Sequence, residues 1–301
     1  MANSNPKNRR PKHTTTAFNV RRDSTLEEFL QSQMPGKSRT SIKHLIANKL
    51  MCLNSRLVRR IDISVKSGDV VTIGKPEEPQ FKMPKGIAVV YEDRHLIVAN
   101  KDSGLLTMAS AKENRRTAYA YLTDYVRFHH PHDQIFIVHR LDRDTSGLLL
   151  FAKSEQVQAD LQTDWNDTIE SRHYVALVEG RPEKDEDTIR TFLREHPKSL
   201  KMHVCRPDEG VEAITHYKVV AHGRGYSLVE LELETGRKNQ IRVHLAHIGH
   251  PVAGDVKYGA ETNPLGRLCL HAMQIRFRHP VSGETLDFNT GVPSMFKSVI
   301  R

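Results

Sequence analysis

Two apolar runs, residues 135–138 and 148–152, enclose the polar connection His139-Arg140-Leu141-Asp142-Arg143-Asp144-Thr145-Ser146-Gly147. Buried strands that carry a charged loop are the rigid support a reacting group needs. The chemistry on offer is that of ionisable side chains held close together, the carboxylates of Asp142 and Asp144 among the cations of Arg140 and Arg143. An ordinary turn in which Asp142 and Thr145 cap backbone groups is the other reading of the same loop. A second constellation is Thr235-Gly236-Arg237-Lys238-Asn239-Gln240-Ile241-Arg242-Val243-His244-Leu245. Ile241, Leu245 and Ile248 recur on one helical face until Gly249 and Pro251 stop it, so Arg242 falls in the first turn, next to the positive end of the helix. Taken alone, such an arginine is a surface charge. Tyr174, within Ser171-Arg172-His173-Tyr174-Val175-Ala176-Leu177, is predicted to open a strand after a helix, and alone reads as a core aromatic.

The elements that must position these residues are short β-prone runs at 87–91, 96–99, 135–138, 148–152, 174–178 and 228–233, alternating with a few helical patterns. Val229, Leu231 and Leu233 alternate with Glu230, Glu232 and Glu234, as a half-exposed antiparallel strand requires. An α+β domain over residues 87–301, built on a mixed, mainly antiparallel sheet, is expected. In front of it, Pro76, Pro79 and Pro84 among charged residues mark 75–86 as an extended linker.

Residues 23–74 form a smaller predicted α/β module. Ser24-Thr25-Leu26-Glu27 reads as a capping box, and Leu26, Phe29 and Leu30 follow at helical spacing. After Pro35-Gly36, a second helix carries Ile42, Leu45 and Ile46, with Arg39, Lys43 and Lys49 at its other positions, and β-prone stretches at 51–53 and 69–73 close the unit. Residues 1–22 hold Lys7, Arg9, Arg10, Lys12, Arg21 and Arg22 and no acid, the composition of a disordered basic arm.

His139-Arg140-Leu141-Asp142 followed by Thr145-Ser146-Gly147 resembles the signature of the RluA family of pseudouridine synthases. Thr235-Gly236-Arg237, Gln240-Ile241-Arg242-Val243-His244 and Gly249-His250-Pro251, then Gly254-Asp255 and Tyr258-Gly259, are similar to further blocks of that family. The position before Gln240, often His in the family, is Asn239 here, a difference that bears on substrate contacts and leaves the Asp–Arg pair untouched. The segment SRTSIKHLIANKLMCLNSRLV resembles the S4-like RNA-binding domain, with Leu53-Asn54-Ser55 where Val-Asn-Gly is usual. The resemblance implies that Asp142 is the catalytic aspartate, that Arg242 pairs with it, and that Tyr174 packs on the target base and helps move its proton. It also implies that 268–272 and 279–284 are closing strands.

The activity so implied turns uridine into pseudouridine by breaking the base–sugar C–N bond, turning the uracil and forming a C–C bond. No redox change occurs, so neither cofactor nor metal is expected. The residues leave open whether Asp142 attacks C1′ or removes the C2′ proton. A guanidinium at Arg242 keeps such a carboxylate charged when a base packs over it. Phosphate contacts are expected from Arg140, Arg143 and Arg237 and from Arg39, Lys43 and Lys49 of the front module. Large-subunit ribosomal RNA is the expected substrate, with transfer RNA as the alternative.

Composition agrees with a polyanionic partner. The chain's 45 Lys and Arg exceed its 36 Asp and Glu, for a net charge of +9, though a merely solubilising surface fits as well. Cys52, Cys205 and Cys269 are odd in number and lack C-x-x-C spacing, which argues against a disulfide framework or zinc knuckle. No apolar run suits a membrane span or secretory signal. A cytoplasmic monomer is expected. Two rival readings are a non-catalytic RNA-binding or ribosome-assembly factor, and a metal-dependent hydrolase built on His139, His244, His247 and His250. In the latter, His250 lies past Gly249 and would point elsewhere.

Overall fold

The computed structural model describes residues 15–74, 81–110, 113, 115–163 and 165–301, without the side chains of Asn166 and Asp167. The chain divides into two units, Met1–Gln80 and Phe81–Arg301. Lys7, Arg9, Arg10 and Lys12 of the expected arm, and Pro76 and Pro79 of the expected linker, lie outside the described residues.

The first unit contains β1 (Thr16–Asn19), β2 (Ser24–Thr25), α1 (Leu26–Gln33), α2 (Arg39–Ala47), β3 (Met51–Leu53), β4 (Arg56–Leu57), β5 (Ser64–Val65) and β6 (Val70–Ile73). Its main sheet has the order β1-β6-β3-β4, and β2 pairs with β5. Leu26, Phe29 and Leu30 of α1 and Ile42 of α2 share a buried core with Met51 and Val71. The basic arm expected to reach Arg22 requires correction, because Phe18 pairs with Val71 in the ladder between β1 and β6 and Val20 is buried. The capping box lies one residue later than expected. Ser24 is held extended by pairing with Val65, so Thr25 becomes the N-cap, and its hydroxyl and the Glu28 carboxylate exchange bonds with each other's backbone N–H. Lys49 sits beyond the end of α2 at φ 56° rather than on its face. Asn54 and Ser55 both have positive φ and join β3 to β4 in a tight hairpin, the conformation such two-residue connections favour.

The second unit contains β7 (Ile87–Glu92), β8 (Leu96–Lys101), α3 (Ala118–His129), β9 (Phe136–Ile137), β10 (Ser146–Ala152), α4 (Glu155–Thr163), α5 (Trp165–Thr168) and β11 (Ile169–Glu179). These are followed by β12 (Glu186–Glu195), β13 (Met202–Cys205), β14 (Val211–His222), β15 (Tyr226–Leu233), α6 (Gln240–His247), a 3₁₀ turn (Val256–Tyr258), β16 (Leu270–Arg278), β17 (Thr285–Asn289) and α7 (Ser294–Ile300). One eleven-stranded sheet runs β13-β12-β14-β15-β11-β16-β10-β8-β7, with β17 on β16 and β9 on β10. It is the mixed, mainly antiparallel sheet expected of an α+β fold. The parallel element among the described strands is the short ladder of β10 with β16, which pairs Ser146 with His271 and Gly147 with Ala272.

Every residue of β10 is buried because both faces of the sheet are covered there. Leu149 and Phe151 meet Leu122 and Val126 of α3 on one side. Leu148 and Leu150 meet Val157 and Leu161 of α4 on the other. This explains why the run reads as continuously apolar rather than alternating.

Three further expectations are corrected. Phe81 packs against Tyr125 and Phe128, at ring separations of 5.6 Å and 5.5 Å, so residues 81–86 belong to the second unit. Tyr174 lies in the middle of β11, whose ladder with β16 starts at Ile169 and shifts register at His173/Tyr174. Residues 279–284 form the turn between β16 and β17, closed by His279 Nδ1 accepting from the N–H groups of Val281 and Ser282. Strands β12, β13 and β14 were not legible in the sequence, since most of β12 and much of β14 alternate polar residues over an exposed hairpin.

Candidate active site

Asp142 lies in the loop from β9 to β10, and the loop is fastened on both sides of it. Leu141 is buried against Ile135, Leu149 and Ala272. The Thr107 hydroxyl donates to the Leu141 carbonyl at 2.8 Å and accepts from its N–H at 3.2 Å. On the other side, the fully buried Lys101 ammonium donates to the carbonyls of Asp102, Leu105 and Arg143 at 2.8–2.9 Å. Burial lowers the Lys101 pKa to about 8. Ser103 donates to the Asp144 carbonyl at 2.7 Å. Beyond Thr145, Gly147 has φ 119°, and a Cβ there would lie 2.2 Å from the Ala272 carbonyl oxygen. Only glycine allows β10 to lie this close to β16 while the loop turns out of the sheet.

The opposing residues come from the Thr235–Gln240 turn and α6. The Gln240 side-chain oxygen accepts from the Thr235 hydroxyl and the Arg237 N–H, while its NH2 donates to Ile214 and Thr215 of β14. This clamp ties the start of α6 to the sheet. Arg242, in the first turn as expected, is buried rather than on the surface. Its Nη1 donates to Asp142 Oδ2 at 3.1 Å, and its Nε and Nη2 donate to the two oxygens of Asp255 at 2.6 Å and 2.7 Å. Side-chain exposure falls from 26% at Asp142 to 10% at Arg242 and 1% at Asp255. Burial opposes the charge on Arg242, but the carboxylates of Asp255 and Asp142 outweigh it and hold the guanidinium pKa above its ordinary value.

Asn239 is the N-cap of α6, in the left-handed region at φ 53°, yet its side chain does not cap the helix. Its Nδ2 donates to Asp142 Oδ2 at 2.5 Å, and its Oδ1 accepts from the Tyr258 hydroxyl at 3.0 Å and from Lys257 Nζ at 3.2 Å. Asp142 Oδ2 thus takes two donors, and Oδ1 takes none among the described residues. Tyr174 lines the same small nook of about 70 Å³ as Asp142, Asn239 and Arg242. Burial raises the Tyr174 phenol above its ordinary pKa, so it remains protonated at neutral pH. Arg140, Tyr174, Leu233 and Arg237 are shared between this nook and an adjoining cleft of about 810 Å³. The nook is smaller than most ligand pockets, whereas the cleft falls within their usual range.

Of the expected phosphate contacts, Arg140 and Arg237 line the cleft, and Arg143 is exposed and paired with Asp144. In the first unit Arg39 pairs with Glu27, while Lys43 and Lys49 are exposed. Three histidines of the hydrolase reading are held in separate bonds. His139 accepts from the Leu150 N–H, His244 sits between Thr191 and Thr215, and His250 bonds the Glu179 carbonyl. Among the described residues no group of three or more His, Cys, Asp or Glu could hold a metal ion. No helix among them is long and apolar enough to cross a membrane.

The RNA pseudouridylate synthase family matches residues 95–247, and the chain belongs to it. It is 33% identical over 291 residues, 89% of this chain and 90% of the relative, to the ribosomal large subunit pseudouridine synthase D of Zymomonas mobilis. It is 32% identical to the uncharacterized RNA pseudouridine synthase YjbO of Bacillus subtilis, over 79% of this chain and 85% of that one. Among solved structures, human RNA pseudouridylate synthase domain containing 1 matches with a TM-score of 0.56 at 25% identity, covering 71% of this chain and 86% of that one. The chain is therefore an isomerase whose substrate is RNA.

Sequence reasoning missed the roles of Asp255, Asn239 and Lys101. Asp255 stood in a Gly254-Asp255 block with no role attached. Asn239 was read as leaving the Asp–Arg pair untouched, whereas it bonds Asp142 directly. Asparagine tolerates the left-handed region better than most residues, but that tolerance does not reveal what its side chain reaches.

Proposed function

We propose that Asp142 is the catalytic carboxylate of this synthase, that Arg242 orients it, that Tyr174 packs on the target base, and that the substrate is large-subunit ribosomal RNA. The observation that carries the catalytic assignment is the asymmetry of the Asp142 carboxylate. Oδ2 is bound by Arg242 and Asn239, which leaves Oδ1 for the substrate.

During the reaction C1′–N1 breaks and C1′–C5 forms, while a proton leaves C5 and N1 gains one. The electron count of the base is unchanged, so positioned protein groups suffice. Attack on C1′ and removal of the C2′ proton both require a carboxylate beside the sugar, and the Arg242 bond fixes the orientation of Asp142 there. Tyr174, protonated at neutral pH, offers a ring face to the uracil and a hydroxyl donor.

A uridine held in folded RNA must leave its stack, at a cost of a few kcal/mol. Phosphate contacts from Arg140, Arg143 and Arg237, and from Arg39, Lys43 and Lys49 of the S4-like unit, offset that cost. Binding then weakens steeply with added salt, and a flat salt profile would remove these contacts from the proposal. The ribosomal assignment is supported by the ribosomal large subunit enzyme of Zymomonas mobilis, which aligns along nine-tenths of the chain.

The test is a chemically mapped pseudouridine profile of cells with the wild-type protein, without it, and with Asp142→Ala. Marks in large-subunit ribosomal RNA lost from both defective strains support the whole reading. Marks lost from transfer RNA instead would overturn the substrate, and marks retained with Asp142→Ala would overturn the catalytic residue.

A further inference from the structure

The cleft beside the Asp142 nook is larger than one base requires, and its walls have a chemistry of their own. Trp165, the single tryptophan of the chain, stands in its wall. The Arg172 guanidinium lies 5.4 Å from the Trp165 ring centroid, and its Nη2 donates to the Leu233 carbonyl at 3.3 Å. Gly236 passes so close that a Cβ there would come within 2.9 Å of Arg172 Nη1. Arg172 is thus a partly buried, sterically confined cation, and no carboxylate pairs with it among the described residues. Arg140 and Arg237 enter the same cleft. Among the described lining residues the acid is Glu234, which pairs with His216 at 2.6 Å.

We propose that this cleft is a second nucleotide subsite, which holds the nucleotide adjoining the target uridine with its phosphate on Arg172, Arg140 and Arg237 and its base on Trp165. The inference rests on the reading of Asp142 as the reacting group, because the two cavities share Arg140, Tyr174, Leu233 and Arg237. A strand that places uridine in the nook must carry its neighbour past that shared wall. An unstacked neighbour loses its contacts within the RNA, and an aromatic face beside confined guanidinium groups replaces both its stacking and its counterions. The subsite therefore reads a π-face and a phosphate and is tolerant of base identity. It also adds grip at the point where the strand is most distorted.

Because Trp165 is the only tryptophan, its emission reports on this cleft alone. The experiment uses the full chain carrying Asp142→Ala, to prevent turnover, and an end-labelled single-stranded RNA hexamer with one uridine among adenosines. Binding is read by anisotropy and stacking by Trp165 emission, at low salt. The parent hexamer is expected to quench the emission saturably. A hexamer made abasic at one neighbour of the uridine is expected to lose the quench and bind about 5- to 100-fold more weakly. In a Trp165→Ala background that abasic change should no longer matter, while Trp165→Phe should retain the preference for a base. The abasic probes leave the protein unaltered, so a misfolded variant cannot mimic the result.

A parent hexamer that binds without changing the emission would overturn the subsite. Full quenching by hexamers made abasic at either neighbour of the uridine, or no binding at low salt, would do the same. The catalytic reading is decided separately by the mapped profile, so marks that depend on Asp142 alongside a silent Trp165 would retain that reading and discard this one.

Discussion

Asp255 occupies two corners of the Arg242 fork, at 2.6 Å from Nε and 2.7 Å from Nη2, and so leaves Nη1 as the corner that reaches Asp142. A buried carboxylate thereby aims a buried guanidinium at a partly exposed one. Asp255→Asn keeps the shape but loses the charge and turns one acceptor into a donor. A charge-assisted bond is worth about 1.5–3 kcal/mol, so kcat is expected to fall about 10- to 100-fold with RNA affinity little changed. Single-turnover assays alongside equilibrium binding check the split. Asp255→Ala strands the arginine and should destabilise the fold by about 3–5 kcal/mol in denaturant unfolding.

Arg242→Lys keeps the charge and loses the planar fork, so one ammonium cannot serve Asp255 at two points and Asp142 at a third. Turnover is expected to drop by about 10²–10³-fold, the scale of losing an oriented electrostatic contact. Near-normal rates would refute the pairing as a functional element.

Asn239 holds Asp142 with a donor that does not titrate, oriented by the Tyr258 hydroxyl on its other end. Asn239→Asp would set a second carboxylate against Asp142 Oδ2, and like charges disfavour ionisation of either. Asn239→Asp is therefore expected to lower kcat further than Asn239→Ala, which only removes the donor, with little change in RNA affinity in either variant. Near-normal kcat in Asn239→Asp would show that the bond does not bear on the reacting state.

Gly147→Ala places a methyl group 2.2 Å from the Ala272 carbonyl at a φ of 119°. The clash is with the Ala272 backbone, which cannot give way as a side chain can, so β10 and β16 must separate and the Asp142 loop must shift with them. A loss of more than about 1 kcal/mol of stability, together with most of the activity, is expected, whereas Gly283→Ala in an open turn should cost stability and leave the rate intact.

Burial lowers the pKa of three histidines below the ordinary 6.5, His139 to about 3 and His244 and His271 to about 4. In the unfolded chain each takes up a proton near pH 6.5, while in the folded protein each remains neutral. Between those values the unfolded state binds more protons, so this contribution is complete above pH 6.5 and is lost as the pH falls, toward about 4 for His244 and His271 and about 3 for His139. Melting temperature is expected to decline across that window, and His271→Gln should flatten the decline. His271 bonds Ser146 and Thr290, so the variant should also be less stable at neutral pH.

Local patterning determined much of this protein. Asp142, Tyr174 and Arg242 were singled out by the resemblance of their short blocks to the RluA family, because periodicity alone read Arg242 as a surface charge and Tyr174 as a core aromatic. The strands around them were visible wherever burial on one or both faces imposed alternation or a continuous apolar run, as at 148–152 and 229–233. Tertiary structure alone decided what completes the site. Asp255 meets Arg242 from 13 residues away, Asn239 meets Asp142 across 97, and Lys101 reaches the Arg143 carbonyl across 42. Such contacts depend on which strands become neighbours and in what register, above all the two-residue parallel ladder of β10 with β16. Periodicity records which face of an element is buried. It does not record what is buried against it, because the hydrophobic effect that writes the pattern is non-directional, while the hydrogen bonds that build the site are directional and form only after the faces have met.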